Sequence, residues 1–126
     1  MAFKSVVNGH EIILDAEEQV GGKDRGPRPK PLVLVALGGC TGMDVIPILK
    51  KMQVEPEFFN VIVEGDVTDE HPKQYTNIHV IYEFRGKNLP LEKLERAVSL
   101  SQDKYCGVSA TLKKGLPVSW EIKILE

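Results

Sequence analysis

Hydrophobic and polar residues at the start of the chain predict a β-hairpin followed by a loop. The apolar segments Phe3–Val7 and His10–Leu14 flank Asn8-Gly9, and these two residue types accept the positive φ angles of a tight two-residue turn. Residues 15–31 then contain three glycines and three prolines, together with several lysines and arginines. This composition predicts an exposed, positively charged loop.

The segment from Leu32 to about Met52 predicts a helix that is apolar on nearly every face as far as Lys50. A helix that is hydrophobic all round is normally buried on all sides. In a chain this small, a second subunit would help to cover it. Pro47 lies inside the segment and predicts a bend between about Met43 and Pro47, because proline removes one hydrogen bond of the helix.

The second half of the chain predicts three strands and a further helix. Apolar and polar residues alternate over residues 59–67, 76–84 and 118–124, which is typical of strands with one buried face. Helical spacing begins near Pro90, and residues 108–114 predict another short helical stretch. The element order is therefore ββ-α-ββ-α-β with mostly antiparallel strands, an α+β fold, and 126 residues fit a single domain over 1–126.

Charge and hydropathy exclude some classes of function. The formal net charge is -2, whereas a nucleic-acid-binding protein normally carries a basic face. The apolar segment 32–49 contains Asp44 and Pro47, and a charge at bilayer depth is costly, so a core helix is favoured over a membrane span. The first residues run directly into a strand pattern without a secretory signal, and we expect a cytoplasmic protein.

The two cysteines, Cys40 and Cys106, form no Cys-x-x-Cys motif, and none of the three histidines has ligand spacing to either of them. We therefore predict no metal site. Three glycines surround Cys40, and each costs a helix roughly 1 kcal/mol relative to alanine. They indicate either close access to a reactive sulfur or tight packing around an inert thiol. Asp44 lies one turn further along, where a structural role is favoured.

Two motifs resemble the OsmC/Ohr family. The run Gly26-Pro27-Arg28-Pro29 followed by 32–45 (LVLVALGGCTGMDV) resembles the first-cysteine helix of that family, and 100–109 (LSQDKYCGVS) is similar to its second-cysteine segment. The element order also matches, over almost the whole chain, and the short OsmC-like branch is the nearest. The resemblance implies an intertwined homodimer in which mostly antiparallel sheets pack around a buried, cysteine-bearing helix.

The resemblance further implies a thiol-dependent peroxidase that reduces organic hydroperoxides, needs no cofactor and is recycled by a dithiol reductant. Cys40 would be the peroxidatic residue and Cys106 the resolving residue. The family uses an arginine held by a glutamate just before the cysteine helix, but Lys30-Pro31-Leu32 contains no acid. Arg25 or Arg28 is our hypothesis for the activating cation, and the alternative is that both are solvated.

Two other functions stay open at this level. The missing glutamate favours a non-peroxidase of the same fold, a redox sensor or a homodimer that binds a small ligand. The third alternative is a structural homodimer with inert thiols. Retention of both cysteines favours the enzyme.

Overall fold

The computed structural model describes residues 1–126, which form two compact units, Met1–Val35 and Ala36–Glu126. We describe each unit by itself. The order of strands and helices and the mixed α+β class agree with the prediction from the sequence pattern. The assignment of all 126 residues to a single domain stays a prediction.

The first unit contains the predicted hairpin. Strand β1 (Phe3–Val7) pairs antiparallel with β2 (His10–Leu14). Asn8 and Gly9 adopt φ angles of 53° and 81°, the pair of positive values that a type I′ turn needs. A short 3₁₀ turn, Glu18–Val20, follows, and most of the loop is exposed as expected.

Helix α1 (Pro31–Lys51) begins in the first unit, enters the second at Ala36 and continues without a break in the helix assignment past Pro47. By length and composition it could cross a membrane, although Asp44 and Pro47 interrupt its apolar sequence. It does not bury all its faces within this chain, because Val35, Met43 and Ile46 are 65%, 78% and 58% exposed. One chain by itself therefore covers only part of this helix, and cover of the remaining faces by a second subunit stays a prediction. The buried residues form one stripe with a spacing of four: Leu37, Thr41, Val45 and Leu49.

A three-stranded sheet forms the centre of the second unit. Strand β3 (Phe58–Val67) pairs antiparallel with β4 (Tyr75–Arg85), and β5 (Val118–Ile124) pairs parallel on the other side of β4. Alternate residues of the central strand are almost fully buried: Ile78, Val80, Tyr82 and Phe84. Period-two burial of this kind places one face of the sheet against the core.

Three helical segments lie between β4 and β5. Helix α2 (Leu91–Leu100) passes directly into a π-helical turn, Ser101–Tyr105, and helix α3 (Gly107–Lys113) follows. Amphipathic spacing accounts for α2, whose buried residues are Leu94, Ala97 and Val98. The sequence pattern did not distinguish the π turn from a regular end of α2.

The glycines around Cys40 differ in what they do. A side chain on Gly38 would lie 3.1 Å from Val63 Cγ2 of β3, and one on Gly42 would lie 3.5 Å from Val61 Cγ2. These two glycines therefore let the helix approach the sheet closely. Gly39 faces open space, so packing does not account for it.

Candidate active site

The fold of the second unit brings together the two cysteines, which are 66 positions apart in the sequence. The Cys40 sulfur, a carboxylate oxygen of Asp44 and the Cys106 sulfur all lie within 4.8 Å of one another. Cys40 and Asp44 are one helical turn apart on α1, so they share a face of the helix. We call these three groups the thiol–carboxylate cluster.

The π turn positions Cys106. Its backbone N–H donates to the Ser101 carbonyl oxygen at 2.7 Å, an i to i−5 bond that closes the wide turn. Cys106 then has extended backbone angles and caps α3, where its sulfur accepts a hydrogen bond from the Ser109 backbone N–H at 3.4 Å. The second cysteine thus lies at the start of α3 and not at the end of α2.

The two sulfurs have different environments. Cys106 is buried, with 3% of its surface exposed, whereas Cys40 is half-buried. Burial raises the pKa of the Cys106 thiol to about 11; the Ser109 N–H opposes the shift, while Cys40 and Asp44 add to it. Cys106 therefore holds its proton at neutral pH, and Cys40 is the more accessible of the two thiols.

Six polar side chains beside the cluster form one continuous hydrogen-bonded chain, which we call the hydroxyl chain: Ser109, Gln102, Tyr82, Thr41, Ser101 and Asp44. Its donor–acceptor distances lie between 2.6 and 2.9 Å. Every buried side-chain N or O atom in the protein has a hydrogen-bond partner. The chain therefore joins α1, β4, the π turn and α3 without leaving a buried polar group unsatisfied.

The direction of the hydroxyl chain follows from the number of protons that each group carries. Ser101 donates its single hydroxyl proton to Asp44 at 2.9 Å, so Thr41 must donate to Ser101. Tyr82 must then donate to Thr41 and accept from the Gln102 amide. Every hydroxyl proton in this series therefore points toward the Asp44 side chain.

A pocket of about 580 Å³ opens beside the carboxylate. It is lined by Asp44, Pro47, Ile48, Lys51, Met52, Leu100 and Tyr105. Most of these lining side chains are apolar, while Lys51 and Asp44 supply opposite charges. Tyr105 is 53% exposed, so part of its ring is open to solvent. A small organic molecule with an apolar body fits this lining.

The two arginines predicted to activate Cys40 lie in the first unit, and each forms an ion pair with a carboxylate of that unit. Arg25 Nε donates to Asp15 at 3.0 Å, and Arg28 donates to Asp24 and to the Gly26 carbonyl oxygen. Burial raises the pKa of Asp15, but the Arg25 side chain and three backbone N–H groups lower it more, and the pKa lies well below its usual value. Both guanidinium groups already have an anionic partner.

The thiol–carboxylate cluster also contains donor types that bind metals. A structural zinc site takes four protein ligands, whereas this cluster offers three and includes no histidine. The donor set alone therefore does not define a metal centre. Two adjacent thiols, one of them accessible, instead match the geometry of a redox pair.

One feature of the sequence could have indicated part of the hydroxyl chain. Ser101 continues the spacing of Leu94 and Val98, so a polar residue occupies a position on the buried face of the helix. Buried polar residues at such positions need partners. The partners Thr41 and Tyr82 lie far away in the sequence, and only folding identifies them.

The fold and the cluster define a small α+β thiol protein with a paired-cysteine site. A family model described as "OsmC-like protein" matches residues 21–121, and the chain belongs to the OsmC-like family. Family membership was predicted from the two cysteine motifs and is confirmed.

Relatives agree with this assignment. The chain is 30% identical over 118 residues to Protein YhfA of Escherichia coli K12, a match that covers 94% of this chain and 85% of YhfA. A crystal structure of a hypothetical protein from Aquifex aeolicus VF5 is 33% identical and covers 100% of this chain and 97% of that one, with a TM-score of 0.77. The organic hydroperoxide resistance protein OsmC from Legionella pneumophila is 14% identical, covers 98% and 95% of the two chains, and has a TM-score of 0.67, which shows a shared fold.

Proposed function

We propose that this protein is a thiol-dependent peroxidase that reduces organic hydroperoxides. The observation that carries the proposal is the approach of the Cys40 and Cys106 sulfurs to within 4.8 Å, with Cys40 accessible and Cys106 buried. Relatives of the same fold include a protein named for organic hydroperoxide resistance. The apolar pocket beside the cluster supports an organic substrate over hydrogen peroxide.

In the first step the Cys40 thiolate attacks the hydroperoxide oxygen. The O–O bond breaks, the alcohol leaves after taking up a proton, and Cys40 becomes a sulfenic acid. In the second step the Cys106 sulfur attacks the Cys40 sulfur and water leaves. Side-chain rotation must bring the sulfurs to the bonding distance of about 2.05 Å. A dithiol reductant then reopens the disulfide by thiol exchange.

Activation of Cys40 by Arg25 or Arg28 remains part of the proposal. Either guanidinium would have to serve the thiolate as well as the carboxylate that it already contacts. Alanine variants test each arginine separately. Reduced peroxidase activity in one variant assigns the role to that arginine, and full activity in both variants excludes the pair.

We also propose a cytoplasmic homodimer. The exposed apolar residues Val35, Met43 and Ile46 on α1 support a partner subunit. Sedimentation at micromolar concentration tests the assembly. A monomer would contradict this part of the proposal without affecting the cysteine chemistry.

A redox sensor or ligand-binding homodimer is the second candidate. This candidate is favoured because Arg25 and Arg28 each already form an ion pair with a carboxylate. Neither arginine is therefore reserved for activating the Cys40 thiol. One equivalent of cumene hydroperoxide, followed by intact mass and free-thiol measurements, separates the two functions. Rapid loss of two hydrogens from the reduced protein, blocked in Cys40→Ser, supports the peroxidase. Slow and non-stoichiometric oxidation supports the sensor and contradicts the peroxidase.

A further inference from the structure

Formation of the disulfide has a proton-transfer problem that the proposed function leaves unsolved. The Cys106 thiol is buried and holds its proton at neutral pH, yet the sulfur must lose that proton to attack Cys40. The departing hydroxide of the sulfenic acid needs a proton in order to leave as water. One group that accepts the first proton and supplies the second would solve both parts.

We infer that Asp44 is this group, carrying the proton from the Cys106 thiol to the hydroxyl that leaves Cys40. The inference rests on the proposed peroxidase function, because it needs the Cys40 sulfenic acid. It is carried by the position of the Asp44 carboxylate within 4.8 Å of both sulfurs.

The hydroxyl chain supports this role. Its protons all point toward Asp44, so the chain stabilises the carboxylate without an ion-pair partner. The ion pairs of the second unit, His79–Glu121 and Lys113–Asp103, do not include Asp44. A carboxylate held by a neutral hydroxyl keeps lone pairs for a thiol proton, because Ser101 occupies only one of its oxygens, Oδ2.

The step balances in protons and electrons. The S–H bond of Cys106 breaks and its proton moves to the Asp44 carboxylate. The electron pair left on the Cys106 sulfur forms the S–S bond, while the S–O bond of the Cys40 sulfenic acid breaks. The leaving oxygen takes the proton from Asp44 and departs as water, and the carboxylate is regenerated.

Other titratable groups near Asp44 suit the role less well. Lys51 and Tyr105 line the same pocket, but a lysine ammonium is a donor without an acceptor lone pair, and a phenol is a weaker base than a carboxylate. Burial raises the pKa of Tyr82, which holds its proton for Thr41. Asp44 is thus the base that both sulfurs can reach.

Asp44→Asn is a suitable test because the amide oxygen can still accept the Ser101 hydrogen bond. The reduced protein is mixed with one equivalent of cumene hydroperoxide, and samples are quenched over time with dimedone. Intact mass then separates the trapped sulfenic acid from the disulfide. Asp44→Glu restores a carboxylate, and Asp66→Asn removes an exposed one from β3.

We expect the Asn variant, once its sulfenic acid has formed, to close the disulfide about 100-fold more slowly than the wild type, a typical effect of losing acid–base catalysis. The Glu variant should recover part of that rate, and Asp66→Asn should match the wild type. The disulfide step in Asp44→Asn should also accelerate about tenfold per pH unit below the Cys106 pKa, because thiolate must form without a base. A merely structural role would not produce this pH dependence.

Two negative results have different meanings. If wild-type protein forms neither sulfenic acid nor disulfide, the proposed peroxidase function fails and the role of Asp44 fails with it. If Asp44→Asn closes the disulfide as fast as the wild type, with the same pH dependence, the role of Asp44 is overturned and the peroxidase function stands.

Discussion

Two carboxylates, one in each unit, meet contrasting surroundings. The Asp15 side chain is fully buried and accepts hydrogen bonds from the Arg25 side chain and three backbone N–H groups. Asp44 is only part-buried, accepts from the Ser101 hydroxyl and lies beside two thiols. Asp15 accepts hydrogen bonds from several donors, one of them a cation, and protonating its carboxylate would break some of these bonds. We therefore assign Asp15 a structural role. Ser101 contacts only the Oδ2 atom of Asp44, so its carboxylate has fewer hydrogen bonds than that of Asp15.

The comparison predicts that changes around Asp44 affect chemistry and that changes around Asp15 affect stability. The two cysteines should give the largest effects. Cys40→Ser should abolish hydroperoxide reduction, because the serine hydroxyl is a far weaker nucleophile than a thiolate. Cys106→Ser should still consume one equivalent of cumene hydroperoxide and then stop as the sulfenic acid, which a peroxide-consumption assay with dimedone trapping detects. Full turnover in Cys40→Ser would disprove the assigned roles.

Breaking the hydroxyl chain should have the next largest effect. Tyr82→Phe removes the donor to Thr41 and the acceptor for Gln102, and unsatisfied buried polar groups cost about 1–3 kcal/mol. Urea unfolding should show this loss in the free energy of unfolding. Tyr105→Phe is the matched control, since Tyr105 is 53% exposed and its loss should stay within about 0.5 kcal/mol. Equal stability of both variants would contradict the importance of the chain.

The Cys106 thiol should make stability depend on alkaline pH. Its pKa is raised by burial to about 11 from 9.0, so the folded state binds the proton more tightly than the unfolded state. This contribution is fully present below pH 9 and is lost as the pH rises through about 11. The free energy of unfolding should fall by at most about 3 kcal/mol from this group, since each pKa unit corresponds to about 1.4 kcal/mol. Cys106→Ala should lack that part of the decline, and parallel curves for the two proteins would contradict the shift.

The smallest effect is expected in the first unit. Arg25→Ala removes one of the hydrogen bonds that hold the pKa of Asp15 below its usual value. A lowered pKa stabilises the fold above the unfolded-state value and is lost as the pH falls, so the variant should unfold at higher pH. Circular dichroism during acid titration measures the midpoint. Lys23→Ala is the control, because Lys23 binds Asp15 through its backbone N–H; equal midpoints in both variants would exclude a special role for Arg25.

Much of the fold follows from local patterns. Asn8-Gly9 specified the hairpin turn, and period-two alternation located β3, β4 and β5 within one or two residues. The parallel pairing of β4 with β5 could not be predicted from these local patterns, because it depends on where α2 and α3 carry the chain. The helical pattern predicted α1, but only the structure distinguished its buried stripe from the face that one chain leaves exposed.

Amino-acid sequence alone determined the element order, the family and the pair of cysteines, because turn chemistry, periodicity and short motifs are local properties. Tertiary structure alone decided that Cys40, Asp44 and Cys106 lie together and that the hydroxyl protons point to Asp44. Those features depend on distances between segments far apart along the chain, and on a π turn that sets Cys106 at the start of α3. Periodicity describes which face of an element is buried, whereas reactivity depends on which atoms meet there.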